Sequence, residues 1–175
     1  ADLNLPEHWR AVFLRFPPDM IVYVHQQGGC LKYLSGRAIT EKRHYNPPRE
    51  ILGERQPYAN YLYSPQADQV VLVEGQADAI SFAEWGIPAL ALGGMTVSDE
   101  LLALLKGHKR VFVALDNTNN AREQSTHIAH ELGGRAYLPQ LPEGVKDANE
   151  WLAAHHATAE EAAAMLNQSK SWLAV

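Results

Sequence analysis

From residue 70 onward the chain alternates short apolar runs with longer amphipathic stretches. The apolar runs cover residues 70–73, 89–92, 110–115 and 135–138, and each predicts a strand. Helices are predicted at residues 77–85, 99–105, 120–132, 149–155 and 159–167. An unbroken run such as Val-Val-Leu-Val at 70–73 is typical of a strand buried on both faces. Alternation of such strands with helices predicts an α/β fold with a parallel sheet and right-handed crossovers.

The segment before residue 70 has a different pattern. Aromatic and apolar residues at helical spacing predict a helix over residues 6–16, which Pro17 and Pro18 would end. Strands are predicted at 21–25 and 30–39 around a Gly28-Gly29 turn, followed by an irregular, proline-rich stretch from 47 to 57. We therefore expect a small β-rich (α+β) subdomain over residues 1–67 and an α/β domain over 68–175.

Carboxylates stand where the predicted strands end. Glu74 follows one strand, Asp116 follows another, and Asp147 lies in a loop that enters a helix. Asp78 lies on the first turn of the helix after Glu74 and faces back toward it. Sites in such sheets lie beyond the carboxyl ends of the strands, and clustered carboxylates repel one another unless a cation neutralises them. Oxygen ligands favour Mg²⁺ or Mn²⁺, although Glu74 alone could simply cap the next helix.

Composition narrows the class of protein. The 175 residues are 46% hydrophobic, with a formal net charge of −5, which argues against a broad nucleic-acid surface. Basic residues between 32 and 55 are nevertheless interleaved with aromatic residues, an arrangement that suits either single-stranded nucleic acid or an ordinary solvated face. The single cysteine, Cys30, fits a cytoplasmic protein. No apolar run approaches the ~20 residues of a membrane span, and all eight histidines are expected at the surface.

The order of the acidic motifs resembles a known family. Glu74-Gly75 with Asp78, then Asp116 after a later strand, resembles the Toprim domain shared by primases, topoisomerases and some nucleases. Residues 146–150, Lys-Asp-Ala-Asn-Glu, are similar to the third acidic motif of primases. Upstream, Leu-Ser-Gly-Arg-Ala-Ile at 34–39 and Lys-Arg-His-Tyr-Asn-Pro-Pro at 42–48 resemble the segment that precedes Toprim in bacterial-type DNA primases.

The resemblance implies a fold, a reaction and a set of site residues. It implies a Toprim-like parallel sheet flanked by helices, and a nucleotidyl transferase that makes short RNA primers on single-stranded DNA from NTPs, with a replicative helicase as a fused or separate partner. Glu74 and Asp116 would be catalytic, and Mg²⁺ or Mn²⁺ would be held by Glu74, Asp78, Asp116 and Asp147. Nucleotide or template would be bound by Arg37, Lys42, Arg43 and Asn46. We also expect Gly75 to be required, because a side chain there would crowd Glu74.

One position departs from the family's pattern. The second motif is usually Asp-x-Asp, whereas this chain has Asp116-Asn117-Thr118. Threonine can offer a neutral oxygen to Mg²⁺ but removes one negative charge, so weaker or single-metal binding is expected. An alternative class is therefore a non-catalytic Toprim module that binds single-stranded nucleic acid or a replication partner. Phosphodiester hydrolysis by the same carboxylates has no support in the upstream segment.

Overall fold

The computed structural model describes residues 7–27, 30–94 and 96–174. The chain falls into two compact units, Ala1–Gln56 and Pro57–Val175. In the described part of the chain, no helix has the length and apolar character needed to cross a membrane.

The first unit is built on an antiparallel hairpin. Its elements are α1 (Glu7–Phe13), β1 (Met20–Gln27), β2 (Cys30–Ala38), β3 (His44–Tyr45) and α2 (Arg49–Leu52). The strands form a three-stranded sheet in the order β1-β2-β3, which confirms the predicted β-rich subdomain; the predicted Gly28-Gly29 turn lies outside the described residues. Helix α1 ends at Phe13, three residues earlier than predicted. Phe16 lies beyond the helix and packs edge-on to Tyr45, with 4.8 Å between the ring centroids.

The second unit is a five-stranded sheet flanked by helices. Its strands are β4 (Tyr58–Ala59), β5 (Gln69–Val73), β6 (Ala89–Ala91), β7 (Arg110–Val113) and β8 (Ala136–Tyr137). Its helices are α3 (Gln76–Glu84), α4 (Asp99–Lys106), α5 (Asn119–Leu132), α6 (Ala148–His155) and α7 (Ala159–Gln168). The strand order is β4-β6-β5-β7-β8; β4 pairs antiparallel at the edge, and the other pairs are parallel. The predicted α/β class is confirmed.

Each face of the sheet is covered by its own apolar cluster. One cluster joins Leu72 and Val111 to α4 and α5, and the other joins Val71 and Phe112 to α3, α6 and α7. This two-sided burial is why β5 is apolar at every position from Val70 to Val73. The positive φ of 58° at Gly133 ends α5, a conformation that glycine adopts without steric cost.

Several sequence expectations differ from the structure. The units divide between Gln56 and Pro57, whereas the sequence placed the boundary after residue 67, because β4 pairs with β6 and so belongs to the second sheet. The surface expectation for histidine was wrong at His25 and His108, which are 2% and 1% exposed. Both ring nitrogens of each are hydrogen-bonded: His25 contacts the Gln56 carbonyl and Ser35, and His108 contacts the Ala67 carbonyl and Tyr63.

A buried asparagine fastens the edge of the second sheet. Asn60, 3% exposed, follows β4 directly. Its Nδ2 donates to the carbonyls of Ala79 and Ile87 at 3.0 and 2.9 Å, and its Oδ1 accepts from the Leu62 N–H at 3.2 Å. One side chain thereby joins the segment after β4 to α3 and to the loop that enters β6.

We expect Asn60→Ala to lower the free energy of unfolding by about 2–4 kcal/mol, because it removes three hydrogen bonds made by a buried side chain. Urea denaturation followed by circular dichroism measures the change. Asn167→Ala is the matched control, since Asn167 is exposed on α7 and its replacement should alter stability by no more than about 0.5 kcal/mol. Equal stability of Asn60→Ala and the parent chain would contradict the structural role given to Asn60.

Candidate metal centre

Two carboxylates follow neighbouring parallel strands. Strand β5 pairs with β7, with Leu72 opposite Val113, so Glu74 and Asp116 emerge at the same edge of the sheet. Burial raises the pKa of Glu74, and the nearby Asp116 carboxylate adds to that rise because like charges disfavour ionisation.

Asp78 is the most buried acid of the group, at 7% exposure on the first turn of α3. Its Oδ2 accepts from the Gly75 N–H at 3.2 Å, and its Oδ1 accepts from the Asn149 N–H at 3.0 Å. Burial raises the pKa of Asp78 to about 6, with a further contribution from the negative charges of Asp147 and Asp116. Each oxygen of Asp78 therefore holds a backbone group, one from its own helix start and one from the start of α6.

Gly75 is constrained by a close approach, as expected, but the neighbour differs. A Cβ at position 75 would lie 2.9 Å from Asp78 Oδ2. A side chain there would therefore crowd Asp78 first, whereas Glu74 was the predicted neighbour. The glycine allows the Asp78 carboxylate to reach back to the Gly75 N–H. A larger residue there would have to displace that carboxylate.

Asp147 and Asp116 are joined through a lysine. Asp147 is the N-cap of α6, where its Oδ1 accepts from the Glu150 N–H at 2.8 Å. Lys146 Nζ lies 2.7 Å from Asp147 Oδ2 and 3.0 Å from Asp116 Oδ2. The backbones of the two loops also meet, because the Asn117 N–H donates to the Lys146 carbonyl at 2.9 Å. Lys146 was not predicted as a site residue, although its position beside Asp147 was a usable signal.

Thr118 has a structural role at the position where the family pattern expects an acid. It is the N-cap of α5, and its hydroxyl accepts from the Ala121 N–H at 3.3 Å. Threonine and aspartate both serve as N-caps, so the helix start is compatible with either residue. Replacement of an acid by threonine at 118 keeps the cap and removes a charge from the edge of the sheet that carries Asp116.

The donor set fits a hard divalent cation that keeps much of its water. Among the described residues, no three His, Cys, Asp or Glu side chains are arranged to hold one ion together. Asp116 and Asp147 nevertheless share one cationic group, the ammonium of Lys146, and both are oxygen donors. Magnesium is commonly bound by one or two carboxylates together with waters and substrate phosphates. The pair therefore suits Mg²⁺ or Mn²⁺ in chemistry and in charge.

The residues expected to bind nucleotide or template all belong to the first unit. Arg37 is half-buried on β2, Lys42 is exposed before β3, and Asn46 is half-buried after it. Arg43 is already engaged, because its guanidinium pairs with Asp19 at 3.0 Å and with Glu41 at 2.7 Å. The nucleotide-binding roles of all four residues stay predictions.

Comparison with known proteins identifies the domain. Residues 71–152 match the family model described as Toprim-like, and no curated protein matches the sequence. The fold is similar to that of the Aquifex aeolicus primase (zinc-binding and RNA polymerase domains), with a TM-score of 0.70 and 23% identity over 87% of this chain and 40% of that one. It is also similar to a DnaG primase catalytic domain bound to single-stranded DNA, with a TM-score of 0.68 and 20% identity over 86% of this chain and 52% of that one.

A phage structure gives the same result. The primase fragment of the bacteriophage T7 primase-helicase protein has a TM-score of 0.59 and 18% identity, over 82% of this chain and 60% of that one. The chain thus spans between two fifths and three fifths of these relatives. The predicted order of Glu74, Asp116 and Asp147 lies within the region that the family model matches. Residues 71–152 thus match a Toprim-like family model, and the fold of the chain is similar to that of primase catalytic cores.

Proposed function

We propose that this chain is the catalytic core of a primase-type nucleotidyl transferase that makes short RNA primers on single-stranded DNA. The observation that carries the proposal is the pair of Asp116 and Asp147, which lie close enough to share one cation. They do so in a fold whose similar structures include a primase catalytic domain bound to single-stranded DNA. We assign Mg²⁺ or Mn²⁺ as the cofactor because both shared donors are carboxylate oxygens.

The four acids of the candidate metal centre would have different roles. Asp116 and Asp147, 17% and 18% exposed, present oxygens to the bound cation. When bound, the cation would supply positive charge that stabilises the negative charge developing on the α-phosphate as a 3′-hydroxyl attacks it in line and pyrophosphate leaves. Glu74 contacts the cation or serves as acid–base, a role that suits a carboxyl whose pKa is raised by burial. Asp78 supports the site from α3, because its oxygens hold the backbones of Gly75 and Asn149.

The first unit would supply the nucleotide and template contacts. Arg37 and Lys42 would offer cations to a triphosphate or to a single strand, with Asn46 as a neutral donor. Arg43 joins them once a phosphate replaces Asp19 and Glu41, carboxylates with which it forms exposed ion pairs of low stability. We extend the proposal to NTPs as substrates, to a cytoplasmic location and to a replicative helicase as partner, the last because one similar structure is part of a primase-helicase protein.

We expect Asp116→Asn to weaken Mn²⁺ binding about a hundredfold or more, since loss of even an outer-sphere partner costs 10–100-fold. Isothermal titration calorimetry on the 175-residue chain measures the affinity. Asp68→Asn is the control, because Asp68 is an exposed carboxylate paired with Lys109 outside the candidate metal centre. Unchanged primer synthesis by Asp116→Ala in the full-length protein would refute the catalytic role of Asp116. Absence of Mn²⁺ binding with intact binding of single-stranded DNA would instead favour the non-catalytic module.

Thr118→Asp should strengthen Mn²⁺ binding roughly tenfold, because carboxylate count tunes the affinity of such sites and aspartate preserves the N-cap. Thr158→Asp is the matched control. Thr158 also caps a helix, with its hydroxyl accepting from the Glu161 N–H at 3.2 Å, and lies beyond the opposite end of α6 from Asp147. A similar gain in both variants would mean that added negative charge, rather than a new ligand, raises the affinity.

Asp78 should make stability depend on pH in the metal-free protein. Its pKa is about 6 in the folded state, above the value of about 3.9 in unfolded chains. The folded state therefore binds the proton more tightly, so this contribution to the free energy of unfolding is fully present below about pH 4. It is lost as pH rises through about 6, and amounts to about 2–3 kcal/mol.

Urea denaturation at intervals from pH 4 to pH 7, with chelator present, measures this dependence. Asp78→Asn should have a smaller loss of stability across that window than the parent chain, whereas Asp68→Asn, at an exposed position, should follow the parent. Parallel curves for Asp78→Asn and the parent would show that Asp78 does not take up a proton there.

A further inference from the structure

Lys146 is held in place by its backbone and paired through its side chain. Its N–H donates to Glu150 Oε2 at 2.7 Å, and its carbonyl accepts from the Asn117 N–H at 2.9 Å. Its ammonium contacts Asp116 and Asp147, which come from different loops. The side chain is 59% exposed, so it can leave the two carboxylates while its backbone stays beside them.

The ammonium and a divalent cation cannot occupy the same place. Lys146 Nζ lies 2.7 and 3.0 Å from the two carboxylate oxygens, whereas magnesium binds oxygen at about 2.0–2.1 Å in octahedral geometry. Both cations would have to approach the same Oδ2 atoms of Asp116 and Asp147. A lysine ammonium is charged at neutral pH, because the ordinary lysine pKa is about 10.4. Entry of a metal ion at the pair therefore requires Lys146 to move away.

We propose that Lys146 is an internal counter-ion of the Asp116–Asp147 pair and competes with the divalent cation for it. The inference rests on the proposed function in that it takes these two carboxylates as the metal ligands. In the metal-free protein, Lys146 reduces the repulsion between two acids that the fold brings together. In the metal-bound protein, its displaced ammonium remains beside the site. Lys146 is thus a residue that sets the metal concentration at which the site fills.

Competition by Lys146 should lower the apparent affinity of the site for the metal ion. A site whose binding-competent form is only partly populated binds its ligand with proportionally weaker apparent affinity. Exposed ion pairs such as those of Lys146 are individually weak. Their removal should therefore strengthen metal binding by roughly three- to tenfold. The same removal should lower the melting temperature of the metal-free protein, because Asp116 and Asp147 lose their shared cation.

The test is calorimetric titration of Mn²⁺ into the parent chain, Lys146→Gln and Lys146→Arg, with metal-free and Mn²⁺-saturated melting temperatures as the second readout. We expect Lys146→Gln to bind Mn²⁺ roughly three- to tenfold more tightly, to melt at a lower temperature without metal, and to recover that loss with Mn²⁺. Lys146→Arg, which keeps the positive charge, should bind no more tightly than the parent.

Arg122→Gln separates competition from a general effect of charge. Arg122 Nη2 donates to Asn117 Oδ1 at 2.7 Å, so its charge lies beside the loop of Asp116 and contacts an amide there. Competition predicts little change in Mn²⁺ affinity for Arg122→Gln. Equal gains in Arg122→Gln and Lys146→Gln would overturn the inference, as would unchanged or weaker Mn²⁺ binding by Lys146→Gln.

The outcomes also distinguish this inference from the proposed function. Saturable Mn²⁺ binding that Asp116→Asn abolishes, with no gain in Lys146→Gln, would leave the proposed metal site intact and refute competition by Lys146. No Mn²⁺ binding by the parent chain or by Lys146→Gln would refute both. Binding by Lys146→Gln alone would support the inference in its strongest form.

Discussion

The parallel pairing of β5 with β7 determines where the acids of the candidate metal centre lie. Neighbouring strands lie about 4.8 Å apart, so acids that follow them are held near each other whether or not a cation is present. Glu74 and Asp116 are such acids, and their proximity contributes to the raised pKa of Glu74. The ammonium of Lys146 and the backbone of Asp116 offset part of this rise in the pKa of Glu74. The sheet thus creates an electrostatic cost that a divalent cation is suited to relieve.

Much of the second unit was predictable because its pattern is local. Buried strands are short apolar runs, and the N-cap Ser98 marks the start of α4, where its side chain accepts from the Leu101 N–H. Element order then places Glu74 and Asp116 at one edge without any knowledge of packing. The two-residue strands β3 and β4 were missed because neither lies in a longer run of the kind that contains the equally short β8. The edge position of β4 in turn explains the shifted boundary between the units.

Other features depend on residues far apart in the chain. The burial of His108 rests on the Ala67 carbonyl, and the bond from the Asn149 N–H to Asp78 joins two helix starts. In both hydrogen bonds the two residues are far apart in the sequence, so the residues around one of them do not reveal the other. Thr118 shows the converse: the sequence located a departure from the acidic pattern, but only the structure showed that the hydroxyl caps α5. The position of Lys146 between two acids likewise requires the meeting of two loops.

Helices α3 and α6 are joined at both ends. Near their N-termini the joint is the Asp78–Asn149 bond, and beyond the C-terminus of α6 the Trp85 Nε1–H donates to the Ala157 carbonyl at 2.9 Å. Trp85 also packs edge-on to Trp151. Because α3 and α6 are joined at both ends, Asp78 on α3 and Asp147 at the start of α6 share a single support. The Asn117 N–H bond to the Lys146 carbonyl ties the loop after β7 to the same support, so the spacing of Asp116 and Asp147 is set by backbone hydrogen bonds as well as by the ammonium between them.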